Sequence, residues 1–296
     1  DSLSYINRHL IYVFTSISLI ITLSFIDIKI LRRLALLGLL ISIIALIAVL
    51  LTSYEIKGSK RWIKLVGLSL QPSEFIKPFF LMVSAWFLSK GIQGHKFSMN
   101  IVFLTFLIIA GLIILQPDLG MTILFSLSFF CQLFIAGLSI ILIIFFILFL
   151  ILITTFSYFT LDHVKKRFDN FFDPSGDTYQ IDWSIKAFKS GGYLGKGPGQ
   201  GILKEKIPDA NTDFIFAVAG EELGYVVCSI IVLLILILII RLLLNILKIE
   251  KPYIIIAIVG LTSCFGLQAI INICSTLGII PTKGMTLPLI SYGGSS

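Results

Sequence analysis

The chain has 296 residues, of which 57% are hydrophobic and only 13% charged, with a formal net charge of +7 and a mean hydropathy of +1.02. Soluble domains carry roughly 25% charged residues, and this chain has too little polar surface to coat a soluble globule. That excludes a soluble enzyme, a disordered chain, a collagen-like fibre and a disulfide scaffold, and leaves an all-α, polytopic integral membrane protein.

A membrane helix needs about 20 mostly apolar residues. In chain order the candidate spans are 9–26, 34–53, 73–89, 99–116, 119–137, 139–160, 214–240 and 252–276, eight in all. The first follows Arg8-His9 as a signal peptide would, but it lacks a small-residue cleavage site and leads into a second span. From Leu119 to Leu161 no Asp, Glu, Lys, Arg or His occurs. One helix over that run would be about 64 Å long, twice the hydrocarbon core. The run is therefore two spans, with a tight turn at Gly137-Leu138-Ser139. We read residues 1–296 as a single membrane domain: six spans over 9–160, a large loop over 161–212, then two spans and a turn-rich C-terminal motif over 213–296. The chain begins at Asp1 and stops at Ser296 after a glycine turn, which suggests a fragment.

With eight spans, alternate loops fall on two sides. One set holds Lys29, Arg32, Arg33, Lys90, Lys96, Arg241, Lys248 and Lys251; the short loops of the other hold Lys57, Lys60, Arg61, Lys64 and Lys283. The richer set is assigned to the cytoplasm and the large loop to the outside. An outer surface this basic calls for an anionic ligand. No basic domain large enough to bind nucleic acid is present. Cys131, Cys228, Cys264 and Cys274 all sit in apolar runs, with no metal-type or disulfide-type spacing.

The 52-residue loop has eight basic and seven acidic side chains. It is too long to be structureless in a compact protein and is expected to fold as a functional cap. Around its Asp173-Pro174-Ser175-Gly176-Asp177 turn it is turn-rich, and Trp183 to Phe188 suits a short interfacial helix. Gly191, Gly192, Gly195, Gly197, Gly199 and Gly201 suit either an amide nest for phosphate or a flexible turn. The loop is not a Walker motif, because Lys196 is followed by Gly197.

Ionisable residues at membrane depth read as functional. Glu74 and Lys77 lie three apart at a helix start, within pairing distance. Asp118 suits a helix cap. Glu221-Glu222 suit a buried hydrogen-bonded network. If residues 213–222 are helical, Asp213 and Glu221 share a stripe. Asp213, where the loop re-enters the bilayer, is either a helix N-cap aided by Thr212 or a general base at the water boundary. Metalloprotease, serine hydrolase and redox motifs are absent. The residues alone thus indicate a membrane protein that transports or alters an anionic amphiphile.

The motifs Gly58-Ser59-Lys60-Arg61-Trp62-Ile63, Gln71-Pro72-Ser73-Glu74-Phe75-Ile76-Lys77 and Gln116-Pro117-Asp118-Leu119-Gly120 resemble, in that order, those of the SEDS family. So do Tyr179-Gln180, the glycine loop, Thr212-Asp213-Phe214-Ile215-Phe216, Gly220-Glu221-Glu222-Leu223-Gly224 and the run from Pro281 to Ser296. The segment 281–290 looks like the division branch of the family rather than its elongation branch.

The resemblance implies a ten-helix fold, of which this chain would lack the first and last helices. It implies a peptidoglycan glycosyltransferase polymerising lipid II in the bacterial inner membrane. A class B penicillin-binding transpeptidase, other divisome proteins and membrane lipids would be its partners. It places the catalytic aspartate at Asp213 and maps the family's Glu and Lys after Gln-Pro onto Glu74 and Lys77 and its loop glutamate onto Glu205; a diphosphate leaving group calls for positive charge, expected from Arg61, Lys77 and Lys196, and Gln180 is expected to join substrate binding. It implies no redox or nucleotide cofactor and no protein metal site, although a divalent cation such as Mg2+ or Mn2+ could assist a diphosphate leaving group. The family's usual His before Thr-Asp is Asn211 here. A lipid II flippase and a scaffold recruiting the transpeptidase are the alternatives.

Overall fold

The computed structural model describes residues 2–51, 61–65, 68–116, 118–160, 165, 169, 179–282 and 284–292. Lys57, Lys60, Lys283 and the Asp173–Asp177 turn lie outside these. All eight expected spans are α-helices, and the chain divides into two compact units.

The first unit comprises residues 1–117 with 292–296. It contains helices α1 (Ser2–Ser24), α2 (Ile28–Leu51), α3 (Pro72–Ile92) and α4 (Lys96–Leu115). Helix α3 packs against both α2 and α4. Gly38 of α2 lies against the Phe79 ring, where a Cβ would come within 2.6 Å of Cζ. Pro72 opens α3 at a position whose N–H would have no helical partner anyway. A two-stranded antiparallel hairpin, β1 (Ile63–Leu65) and β2 (Leu68–Leu70), precedes α3, with Ile63 opposite Leu70. It is an addition to the all-helical expectation.

The second unit spans 118–291 and contains α5 (Leu119–Ile135), α6 (Ile140–Thr160), α7 (Tyr179–Gly191), a 3-10 turn (Leu203–Lys206), α8 (Ile215–Ile246) and α9 (Pro252–Thr276). The expected turn between α5 and α6 is present. Leu138 N–H donates to the Leu133 carbonyl, Gly137 N–H donates to Phe134, and Gly137 has φ 80°. This is the paired closure that glycine allows at a helix end. Helix α9 packs on α5 and α8. The expected interfacial helix is longer than Trp183–Phe188: α7 buries Ser184, Ala187 and Phe188 and is pinned to the end of α9 by Ser184 Oγ donating to the Thr276 carbonyl at 2.6 Å.

Five helices among the described residues are long and apolar enough to cross a membrane: α2, α3, 97–115 of α4, α8 and α9. Residues 9–24, 119–135 and 151–160 add shorter apolar runs. Large apolar side chains such as Phe14, Ile41, Leu104, Phe145 and Leu234 are exposed. That is the surface expected of a protein whose solvent is lipid.

Helix α8 runs to Ile246, beyond the expected end at residue 240, and is interrupted at Gly224, where φ is 78° and ψ 178°. Only glycine adopts that backbone readily. The break removes the helical bonds that would join Tyr225 and Val226 to the carbonyls of Glu221 and Glu222. The glycine loop replaces them. Tyr225 N–H donates to Gly192 and Val226 N–H to Tyr193, while Lys196 and Gly197 N–H groups donate to the carbonyls of Glu221 and Glu222. Freed backbone groups in an apolar setting must find such partners, each orphan costing several kcal/mol. The approach is close: a Cβ on Gly195 would sit 2.2 Å from the Glu222 carbonyl oxygen.

Candidate active site

The segment that follows the glycine loop forms an amide nest, and the anion it holds comes from the protein itself. Glu221, fully buried, accepts from the N–H groups of Ile202, Leu203 and Lys204, each at 3.0 Å, and from Lys196 Nζ at 3.1 Å. Glu222 accepts from Gly199 N–H at 2.9 Å and pairs with Lys204 Nζ at 2.6 Å. The expected network at Glu221-Glu222 is therefore present. The glycine stretch itself folds back as a turn against the broken helix, and the N–H groups that hold Glu221 belong to residues 202–204 after it. Lys196, expected to bind substrate, directs its ammonium to Glu221.

Beyond the nest the chain turns through residues 209–214 into α8. Asp209 has φ 56°, and its carbonyl accepts from the N–H groups of Thr212, Asp213 and Phe214. Asp213 thus sits in a turn ahead of the helix and not on a helical stripe with Glu221. It is not the N-cap either: that position is Phe214, with no side-chain cap. The carboxylate lies beside Gly284 (φ 60°), where a Cβ would be 3.3 Å from Asp213 Oδ2.

Two side chains fix this turn from behind. Asn272 Nδ2 on α9 donates to the Asp213 carbonyl at 2.8 Å and to the Met285 carbonyl at 2.6 Å. Ser291 Oγ donates to the Thr212 carbonyl at 2.6 Å and accepts from Leu287 N–H at 2.7 Å. One turn before Asn272, Gln268 Nε2 donates to the Thr286 carbonyl at 3.2 Å. The C-terminal segment and the Asp213 turn are thereby stitched together. Between them is a cleft of about 10 Å³ lined by Asp213, Phe214, Ile271, Asn272, Ser275, Gly284 and Met285, roughly the space of one water.

Gln180 lies half-buried at the start of α7, and Glu205 is exposed in the 3-10 turn. In the first unit, Lys77 is 3% exposed and pairs with Glu74 at 2.7 Å. Arg61 Nε donates to the Gln116 carbonyl at 3.2 Å. Asp118 caps α5 by accepting from Met121 N–H. Asn272 and Gln268 had no distinguishing sequence signal: an isolated amide in an apolar helix does not announce its partners. Among the described residues no group of three or more His, Cys, Asp or Glu side chains could hold a metal ion. The cleft offers one carboxylate beside main-chain carbonyls, which is no cage for a resident cation.

Apolar helices, a broken span sealed by a folded loop and, among the described residues, a carboxylate at a small cleft define a helical membrane protein. The family model described as "Cell cycle protein", that of FtsW, RodA and SpoVE, matches residues 1–296, and the chain belongs to this family. It is 38% identical over 267 residues to the probable peptidoglycan glycosyltransferase FtsW of Caulobacter vibrioides (strain NA1000 / CB15N), covering 90% of this chain and 68% of that protein. A solved chain described under "Structural coordination of polymerization and crosslinking by a peptidoglycan synthase complex" has a TM-score of 0.81 at 28% identity, covering 99% of this chain and 84% of that one. The crystal structure of Thermus thermophilus rod shape determining protein RodA has a TM-score of 0.70 at 25% identity, covering 98% and 81%.

Proposed function

We propose that this protein is a peptidoglycan glycosyltransferase of the division type that polymerises lipid II in the inner membrane, with its large loop on the outer face. The relative from Caulobacter supports the activity by its name. The observation that carries the site is the Asp213 turn: its main chain is held by Asn272 and Ser291, and its side chain lines the cleft beside Gly284.

The transfer is a single inverting displacement. Asp213 accepts the proton of the GlcNAc 4-hydroxyl of one lipid II as the oxygen attacks the anomeric carbon of the growing chain's MurNAc. The C–O bond to undecaprenyl diphosphate breaks as the new glycosidic bond forms. Such a transfer needs one base and a stabilised leaving group, and a diphosphate is stabilised by positive charge. Arg61, Lys77 and Lys196 supply that charge to the diphosphates, and Glu74, Gln180 and Glu205 contribute to substrate binding. A divalent cation carried in by the diphosphate would supply further charge. The partner is a class B penicillin-binding transpeptidase, with other divisome proteins around the pair.

The test is polymer formation. Full-length protein reconstituted with its transpeptidase and labelled lipid II is expected to give glycan strands on a gel, with release of undecaprenyl diphosphate. Unchanged monomer, under conditions where a control synthase polymerises it, would overturn the reading and favour a flippase or scaffold.

A further inference from the structure

Asn272 is 2% exposed and lies near the C-terminal end of an apolar helix, four residues before Thr276. Its two contacts dictate which way the amide points. Only the NH2 end can donate to both the Asp213 and the Met285 carbonyls. That choice leaves Oδ1 buried with no hydrogen-bond partner. Burying an acceptor in this way is unfavourable, and an apolar residue would spare it. Its amide nitrogen, however, joins the two walls of the cleft that holds the carboxylate: the turn at Asp213 and the segment at Met285. An unfavourable buried group kept at a site is a mark of function.

We propose that Asn272 is a positioning residue for glycosyl transfer, clamping the Asp213 main chain to the Met285 segment so that the carboxylate is held against the attacking hydroxyl. The inference rests on Asp213 being the base. Asn272 touches main chain on both sides of the cleft and acts through Asp213. Its removal therefore slows turnover without weakening the hold on lipid II.

The experiment measures glycan formation by the full-length protein with its transpeptidase, comparing wild type, Asn272→Ala, Asn272→Asp and Asp213→Asn. A base displaced by about 1 Å loses about a hundredfold in rate, so kcat of Asn272→Ala is expected to fall by that order while the half-saturating lipid II concentration stays at the wild-type value. Asn272→Asp preserves the volume and can donate one hydrogen bond only as the neutral acid. Its rate relative to wild type is therefore expected to fall as pH rises.

A folded Asn272→Ala or Asn272→Asp protein with wild-type kcat overturns the proposal, as does a rise in half-saturating lipid II at unchanged kcat. Should Asn272→Ala not fold, the isosteric Asn272→Asp decides by the same criteria. Loss of activity in Asp213→Asn beside full activity in the Asn272 variants removes the clamp alone. Full activity in Asp213→Asn removes the base assignment and the clamp with it.

Discussion

Replacing Glu221 by Gln tests the internal nest that seals the broken helix. One carboxylate oxygen of Glu221 accepts from Lys196 Nζ, Ile202 N–H and Leu203 N–H, and the other from Lys204 N–H. An amide can serve the first three donors with its oxygen. Its NH2 then faces the Lys204 N–H, donor against donor. The change removes one charge-assisted bond, worth about 1.5–3 kcal/mol, and leaves a buried donor unsatisfied at about 1–3 kcal/mol. The remaining bonds lose their ionic strength as well, although the half-exposed Lys196 contributes little to that. A loss of about 3–5 kcal/mol is expected, or roughly 6–15 °C in thermal midpoint at about 2–3 °C per kcal/mol. Glu222 is more exposed, with 15% of its side chain accessible, and accepts from the main chain at Gly199 and Gly201, so Glu222→Gln should cost less, about 1–2 kcal/mol. Thermal unfolding of the detergent-solubilised full-length protein measures both. Equal midpoints for Glu221→Gln and wild type, or a larger loss in Glu222→Gln, would refute the nest as the seal.

Three further perturbations follow from the same geometry. Gly224→Ala forces a Cβ to 2.4 Å from both Gly195 N and Tyr193 O in a backbone region that costs about 1–3 kcal/mol; hydrogen exchange should show faster opening of the 192–204 loop, and wild-type protection there would contradict the break's role. Gly284→Ala strains a left-handed position and crowds Asp213 Oδ2; polymerisation should drop about tenfold or more with a stability loss of only about 1–2 kcal/mol, and unchanged rates would show that the carboxylate does not work from this cleft. Glu74→Gln removes the carboxylate that pairs with buried Lys77 at 2.7 Å and should cost about 1.5–3 kcal/mol, the worth of a charge-assisted hydrogen bond. Adding Lys77→Met should restore the thermal midpoint but not polymer formation; recovery of both would make the pair purely structural.

The eight helices were legible because each is a run of apolar residues near the bilayer's thickness, and lipid tolerates little else. The α5–α6 turn was legible from length alone, since one helix over that run would overshoot the hydrocarbon. Asp213 was legible as an isolated carboxylate at a loop–span junction, and Glu221-Glu222 as adjacent acids that lipid would not accept bare. The break at Gly224 was not, because a glycine inside an apolar helix is ordinary until its neighbour is known. The partners of Glu221 were hidden for a related reason: the amides that hold it belong to main chain, which has no sequence. The hairpin 63–70 was missed because two three-residue strands are too short to show alternation. Asn272 escaped notice because its role lies in two carbonyls, one 59 and one 13 positions away.

The carboxylate of Asp213 is the group on which glycosyl transfer depends, and Asp213→Asn removes it with the least disturbance of shape. The contacts from Asn272, Ser291 and Asp209 all fall on main chain and survive the change. Labelled lipid II given to the full-length variant with its transpeptidase should be bound as by wild type yet give no glycan strands on the gel. Strands formed at the wild-type rate by the folded variant would contradict the assignment of Asp213 as the base.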